Sequence, residues 1–288
     1  MMQARLHLGT ANFGAQYGIT NSKKLTQTEV NRILEWSVNK LEFLDLSLDY
    51  EGATQAVEHL SNKFQISSKV ILEGKLQKGE ITELINREIR MLGVEGIQLL
   101  WVRSQKEFPS NSPQLWLELI ELKQQQRIEK IGFSIYDTDE VEKLVEIFPG
   151  IDCFQVPENV ADRRFSEYVE ANPSLRNDFE FVIRSIFLQG LLTMPKNVIP
   201  PRLRSIIRFR DELMHHTETQ EQSLTQIVCR YVSQLDWISG VVIGTNTLLQ
   251  LKETYSYLTE GVNFPFHWLQ DLPKLPKEVI DPRTWSSI

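Results

Sequence analysis

Three polar residues stand where packing alone gives little reason for them. Asp45 interrupts the apolar run Leu41-Glu42-Phe43-Leu44-Asp45-Leu46, Tyr50 follows it, and Lys69 stands in Ile66-Ser67-Ser68-Lys69-Val70. A carboxylate or an ammonium taken out of water needs a partner, and on neighbouring strands these two could serve each other. With a phenol beside them they could also transfer a proton. A free phenol titrates near pH 10 (about 10 in model peptides), which makes it a poor acid–base group at neutrality. A nearby ammonium favours the phenolate, and a carboxylate can hold that ammonium in place. The same residues also fit an ion pair that fixes strand register next to an ordinary loop tyrosine.

Residues with such roles need elements to position them. Short apolar or β-branched runs recur at Arg5–Leu8, Glu42–Leu46, Gln65–Val70, Ile97–Val102, Lys130–Ser134, Cys153–Val156, Phe181–Ser185 and Gly240–Ile243. Helix-period stretches separate them: Thr26–Asn39, Lys78–Leu92, Pro113–Gln126, Asp139–Phe148, Arg163–Asn172, Leu224–Leu235 and Leu248–Leu258. Thr26 and Glu29 have the Thr-x-x-Glu spacing of a capping box. Ile81, Leu84, Ile85, Ile89 and Leu92 share one face of the second helix. Strand–helix alternation implies parallel strands with right-handed crossovers, and eight such units predict a closed (β/α)8 TIM barrel. The whole chain, 1–288, reads as one domain. The segment Leu191–Gln222 is expected to be a long loop plus a helix, and 263–288 a C-terminal tail packed on the barrel. In such a barrel chemistry belongs just beyond the C-terminal ends of the strands.

A hydrophobic fraction of 41% with 24% charged residues excludes wholesale disorder. The net charge of −7 argues against nucleic acid or an anionic membrane as partner of the whole molecule. The two cysteines, Cys153 and Cys229, lie far apart in apolar surroundings with no metal-ligand spacing, so buried free thiols and no metal site are expected. The first residues lack the apolar core of a signal peptide, and no apolar run is long enough to span a bilayer. A cytoplasmic protein is the expectation.

Leu8-Gly9-Thr10-Ala11-Asn12-Phe13-Gly14 resembles the opening strand and loop of the aldo-keto reductases. Leu44-Asp45-Leu46-Ser47-Leu48-Asp49-Tyr50 is similar to their Asp-Thr-Ala-x-x-Tyr segment with the Asp-to-Tyr spacing kept, and Ile66-Ser67-Ser68-Lys69 to their strand-three lysine. Ile131-Gly132-Phe133-Ser134, Phe154-Gln155-Val156-Pro157-Glu158-Asn159, the run from Val182 to Leu192, and Val242-Ile243-Gly244-Thr245-Asn246 resemble the family's strands five to eight in order. Each motif is weak alone; their order along the chain is what makes the resemblance specific.

The resemblance implies metal-free reduction of an aldehyde, ketone or sugar-like carbonyl by NADPH or NADH. Tyr50 would donate the proton, Lys69 would ease its release and Asp45 would hold Lys69. Ser134 and Gln155 would hold the nicotinamide carboxamide. Ser185, Leu188, Gly190, Gly244 and Thr245 would line the pyrophosphate and adenosine side, where backbone N–H groups can meet phosphate oxygens. A Gly-x-Gly-x-x-Gly loop opening a helix is missing from the sequence, which argues against a Rossmann domain.

Four positions depart from the family pattern. The strand-four segment Ile97-Gln98-Leu99-Leu100-Trp101-Val102-Arg103 carries Gln98 and Arg103 where an aspartate and the fourth catalytic residue, a histidine, are usual. Arg103 could donate to the carbonyl oxygen, grip an anionic substrate through its bidentate fork, or draw Asp45 away from Lys69. The last would leave a barrel that binds a nucleotide or sugar without turning it over; a redox-neutral use of the phenol is a further alternative. Gln250 stands where an arginine often meets the adenosine 2′-phosphate, which leaves the choice between NADPH and NADH open, and Arg184 replaces the aromatic that often stacks on nicotinamide.

Overall fold

The computed structural model describes residues 4–14, 18–19, 24–73, 76–105, 108–216, 222–262 and 264–285. Eight parallel strands close into a barrel in sequence order, with β8 hydrogen-bonded to β1. They are β1 Arg5–Gly9, β2 Phe43–Asp45, β3 Gln65–Val70, β4 Ile97–Arg103, β5 Ile128–Ser134, β6 Cys153–Pro157, β7 Glu180–Arg184 and β8 Gly240–Gly244. The register aligns Gly9 with Asp45 and Gly244, Asp45 with Ser67, and Ser134 with both Arg103 and Gln155. One open end of the barrel therefore gathers polar residues that lie far apart in sequence. The single-domain (β/α)8 expectation holds.

The helices form where apolar spacing and caps coincide. Thr26 caps the helix Gln27–Ser37 in a complete capping box with Glu29. The helix stops short of the expected Asn39 because Val38, at φ −53° and ψ 130°, leaves the helical conformation and Asn39 has φ of 65°, outside the right-handed region. The helix Glu80–Leu92 buries Ile81, Ile85, Ile89 and Leu92, and Gly93 ends it in the left-handed conformation favoured at that position. Four short helices, Ala11–Gly14, Ala53–Val57, Leu175–Asp178 and Lys277–Ile280, carry no signal in the sequence, since four or five residues are too few to show a 3.6-residue period. Strand seven ends one residue earlier than expected: Ser185, at φ 61°, cannot continue a strand.

The strands bury their outward faces under the helices, while a smaller cluster of Phe43, Leu99, Trp101, Cys153 and Val182 fills the barrel itself. Gly132 lets β5 and β6 approach closely, because a Cβ there would lie 1.8 Å from the carbonyl oxygen of Cys153. Both cysteines are buried free thiols, and burial pushes the pKa of each upward. Arg283 and Lys277, each 2.7 Å from Asp137, tie the last described residues to the loop after β5, and Lys274 meets Glu167 at 3.2 Å. The helix Ser205–His215 lies within the long segment that follows β7.

His7, on β1, is fully buried in the barrel interior and stacks on Phe43 at 4.3 Å. Neither ring nitrogen finds a partner among the described residues, and burial lowers its pKa to about 3. The folded chain thus holds a neutral imidazole where the unfolded chain would protonate near pH 6.5. That contribution to stability is intact above pH 6.5 and is lost as pH falls towards 3. His7→Leu is expected to reduce the loss of unfolding free energy between pH 7 and pH 4.5 by about 2–3 kcal/mol. Urea titrations at the two pH values check this, and equal losses in both proteins would contradict it.

Candidate active site

The ion pair suggested by the sequence forms at the open end. Lys69 Nζ donates to Asp45 Oδ1 at 2.5 Å, and both side chains are only 5% exposed. A pair so buried must have its remaining hydrogen-bonding capacity used. Asp45 Oδ2 accepts from Ser67 Oγ at 3.0 Å and from Gln155 Nε2 at 2.8 Å. Lys69 Nζ also donates to the carbonyl oxygen of Leu46 at 3.3 Å. Trp101 Nε1 steadies Ser67 at 2.8 Å, and Ser134 Oγ donates to Gln155 Oε1 at 3.2 Å. Strands two to six thus interlock through one carboxylate. Burial lowers the Lys69 pKa and Asp45 opposes that shift, while the more distant charges of Arg184 and Arg103 add to it.

Tyr50 follows β2 in the loop and is half-buried. Its ring centroid lies 5.9 Å from Lys69 Nζ. Tyr50, Lys69 and Asp45 together form one side of a cavity of about 230 Å³. The opposite side comes from the ends of β7 and β8: Arg184, Ser185, Gly190, Gly244, Thr245 and Gln250 all reach it. Arg103, Ser134, Gln155 and Leu188 do not contribute to the wall among the described residues. Gln155 is fully buried beneath it, bonded to Asp45 and Ser134.

The wall after β7 has an unusual backbone. Ser185, Leu188 and Gln189 all have positive φ, at 61°, 49° and 52°, which non-glycine residues seldom adopt. Such strain persists only when the surroundings impose it. Asn159, just beyond β6, donates to the carbonyl oxygen of Ser185 at 3.1 Å. Its neighbour Glu158 is anchored by Tyr231 Oη at 2.6 Å and by Ser166 Oγ at 3.0 Å, and burial raises its pKa to about 8. Across the cavity, Thr247 caps the helix Leu248–Thr259 by accepting from the Gln250 amide, and Asn246 N donates to Gln250 Oε1 at 3.0 Å. Asn12 ties the β1 loop to Thr245 and Asn246.

Arg103 does not take Asp45 from Lys69. Its guanidinium closes on Asp49 instead, with Nη1 2.8 Å from Oδ2 and Nη2 3.1 Å from Oδ1. Asp49 was missed in the sequence, where a loop acid next to Tyr50 carries no periodic signal. Glu253 was missed as well: it lines the cavity beside Gln250, yet its place on the helix Leu248–Thr259 looks like ordinary exposed surface. Among the described residues no cluster of His, Cys, Asp and Glu could hold a metal ion, and no helix is long and apolar enough to cross a membrane.

The closed parallel barrel thus brings a buried lysine–carboxylate pair and a tyrosine to one cavity at the C-terminal ends of its strands. The sequence profile of the aldo/keto reductase family matches residues 5–263, and the chain belongs to that family. Two solved structures from Pseudomonas aeruginosa, each described as an aldo-keto reductase, are similar in fold. They superpose with TM-scores of 0.63 and 0.62 at 16% sequence identity, each comparison covering 88% of this chain and 89% of the other. A search among curated proteins gives no match.

Proposed function

We propose that this protein reduces the carbonyl group of a small molecule with NAD(P)H, Tyr50 serving as proton donor. Membership of the family supports oxidoreductase chemistry in general. The observation that carries the specific reading is the buried Lys69–Asp45 pair, 2.5 Å long, whose ammonium lies 5.9 Å from the ring of Tyr50 at a cavity wall.

The donor set around the cavity fits a dinucleotide. Residues of the strained turn from Ser185 to Gly190 line one cavity together with Thr245, Asn246 and Gln250 at the start of the helix Leu248–Thr259, and helix N-termini favour phosphate groups. Ser185, Gly190, Gly244 and Thr245 would hold the phosphates and adenosine, while Leu188, Ser134 and Gln155, which do not line the cavity, would act on the cofactor only through the residues that do. The nicotinamide supplies the hydride when bound. Tyr50 releases its proton to the carbonyl oxygen as that oxygen gains negative charge, and Lys69 stabilises the phenolate left behind. Asp45 favours the charged form of Lys69 against the effect of burial and holds the amine in place.

NADH is the cofactor favoured by this wall. Gln250 is a neutral amide, and Glu253 beside it would repel a 2′-phosphate while accepting from a 2′-hydroxyl. Fluorescence titration is expected to show NADH binding about tenfold tighter than NADPH, a difference of about 1.4 kcal/mol. Oxidation of the bound cofactor by simple aldehydes tests the activity itself. Binding of both cofactors without oxidation by any aldehyde would instead indicate a barrel that has lost turnover.

A further inference from the structure

Two guanidinium groups flank Lys69 at the open end of the barrel, Arg103 closing β4 and Arg184 closing β7. Both are near enough to add to the lowering of the Lys69 pKa, behind burial, which dominates, and against the opposing pull of Asp45. The charges do not balance. Lys69 is matched by Asp45 at 2.5 Å and Arg103 by Asp49 at 2.8 Å. Arg184 donates to uncharged oxygens, Ile135 O at 2.9 Å and Ser185 Oγ at 3.5 Å, and lies over the Tyr136 ring at 4.1 Å. Among these groups one positive charge is left over, in a chain whose net charge is −7.

The Arg103–Asp49 pair shows what this guanidinium can receive. Both of its terminal nitrogens meet both oxygens of one planar carboxylate, at 2.8 and 3.1 Å. The side chains are 36% and 41% exposed, and an ion pair this open to water is weak enough to exchange partners. Asp49 would not be stranded by the exchange, because Ser47 Oγ also donates to it and solvent reaches it. Arg103 is near enough to act on Lys69, which itself lies 5.9 Å from the Tyr50 ring, so an anion held in this fork would sit at the same end of the barrel as the proposed proton donor.

We propose that the carbonyl compound reduced here carries a carboxylate of its own, and that Arg103 binds this carboxylate in place of Asp49 while the carbonyl faces Tyr50. The proposal rests on the carbonyl-reductase reading above. It makes Arg103 a specificity-determining residue. Arg184, which meets no carboxylate among the described residues, adds a longer-range attraction for the same substrates, one that salt should weaken.

A matched pair of aldehydes tests the proposal: 4-carboxybenzaldehyde and its methyl ester, assayed with the full-length protein by NAD(P)H oxidation. The acid is expected to exceed the ester in kcat/KM by about tenfold, as one charge-assisted bidentate contact allows, and the ratio should shrink as salt is raised. Asp49→Asn should widen the ratio several-fold, since the fork no longer has an internal occupant. Arg103→Met should bring it close to one, mainly through a higher KM for the acid. Equal rates for acid and ester in the unaltered protein would overturn the proposal and leave carbonyl reduction standing. An equal loss on both aldehydes in Arg103→Met would overturn it too, because the guanidinium would then act on the carbonyl they share. If neither aldehyde oxidises the bound cofactor, the carbonyl-reductase reading falls and the substrate proposal falls with it.

Discussion

Tyr50→Phe is expected to lower the single-turnover rate of carbonyl reduction by about 10²- to 10⁴-fold, the usual contribution of a positioned general acid. Cofactor affinity should change by less than about twofold. The substitution removes one oxygen and keeps the ring, so the half-buried side chain can still pack in the cavity wall. Without the hydroxyl, the alkoxide formed by hydride transfer has to take its proton from water, while Lys69 remains fixed by Asp45 at 2.5 Å. Stopped-flow fluorescence gives the rate and equilibrium titration gives the affinity. A rate within about fivefold of the unaltered enzyme would remove Tyr50 from proton transfer.

The second large effect concerns stability. Asp45→Asn leaves the Lys69 ammonium buried without its counter-charge, and breaking a buried ion pair in this way costs about 3–5 kcal/mol. Asp45 also accepts from Ser67 and Gln155, so the substitution forces two further donors to adjust. The cost should depend on pH in a definite direction. Burial already lowers the Lys69 pKa and Asp45 opposes that shift, so the amine of the variant loses its proton more easily. A lysine whose folded pKa lies below its unfolded 10.5 favours the folded chain more as pH rises through that interval. The deficit of Asp45→Asn should therefore narrow between pH 7 and pH 10. Adding Lys69→Met should recover part of it at pH 7 by removing the stranded charge. Urea titrations report all three effects, and a pH-independent deficit would mean that the charge of Lys69 is not the cause.

What could be read from the sequence follows from how strongly each residue is constrained. Alternating apolar runs and helix-period segments were long enough to give the eight strands and the helices that separate them, and burial requires Asp45 and Lys69 to find each other. Features that depend on a single backbone angle or on one loop residue carried no periodic signal. Ser185 looked like the last residue of a strand because it follows an apolar run, but its hydrogen bond from Asn159 belongs to a left-handed turn. Arg103 was visible at the end of its strand, whereas its partner was not: an aspartate in the loop before Tyr50 is as ordinary in sequence as any surface acid. Gln155 was expected beside the cofactor and is spent in part on Asp45, a contact between strands two and six that only closure of the barrel creates. Glu253 illustrates the same limit, since a helical position exposed to water and one exposed to a cavity have the same pattern.

The proposed function requires that the Tyr50 phenol, with Lys69 held nearby by Asp45, present one proton to a carbonyl oxygen. A crystal structure of the ternary complex with oxidised cofactor and a carbonyl-bearing inhibitor tests this most directly. The expected result is the Tyr50 hydroxyl about 2.6–3.2 Å from the inhibitor's oxygen, with Lys69 Nζ on its other side and still bonded to Asp45. Tyr50 turned away from the inhibitor, with another side chain donating to that oxygen, would contradict it.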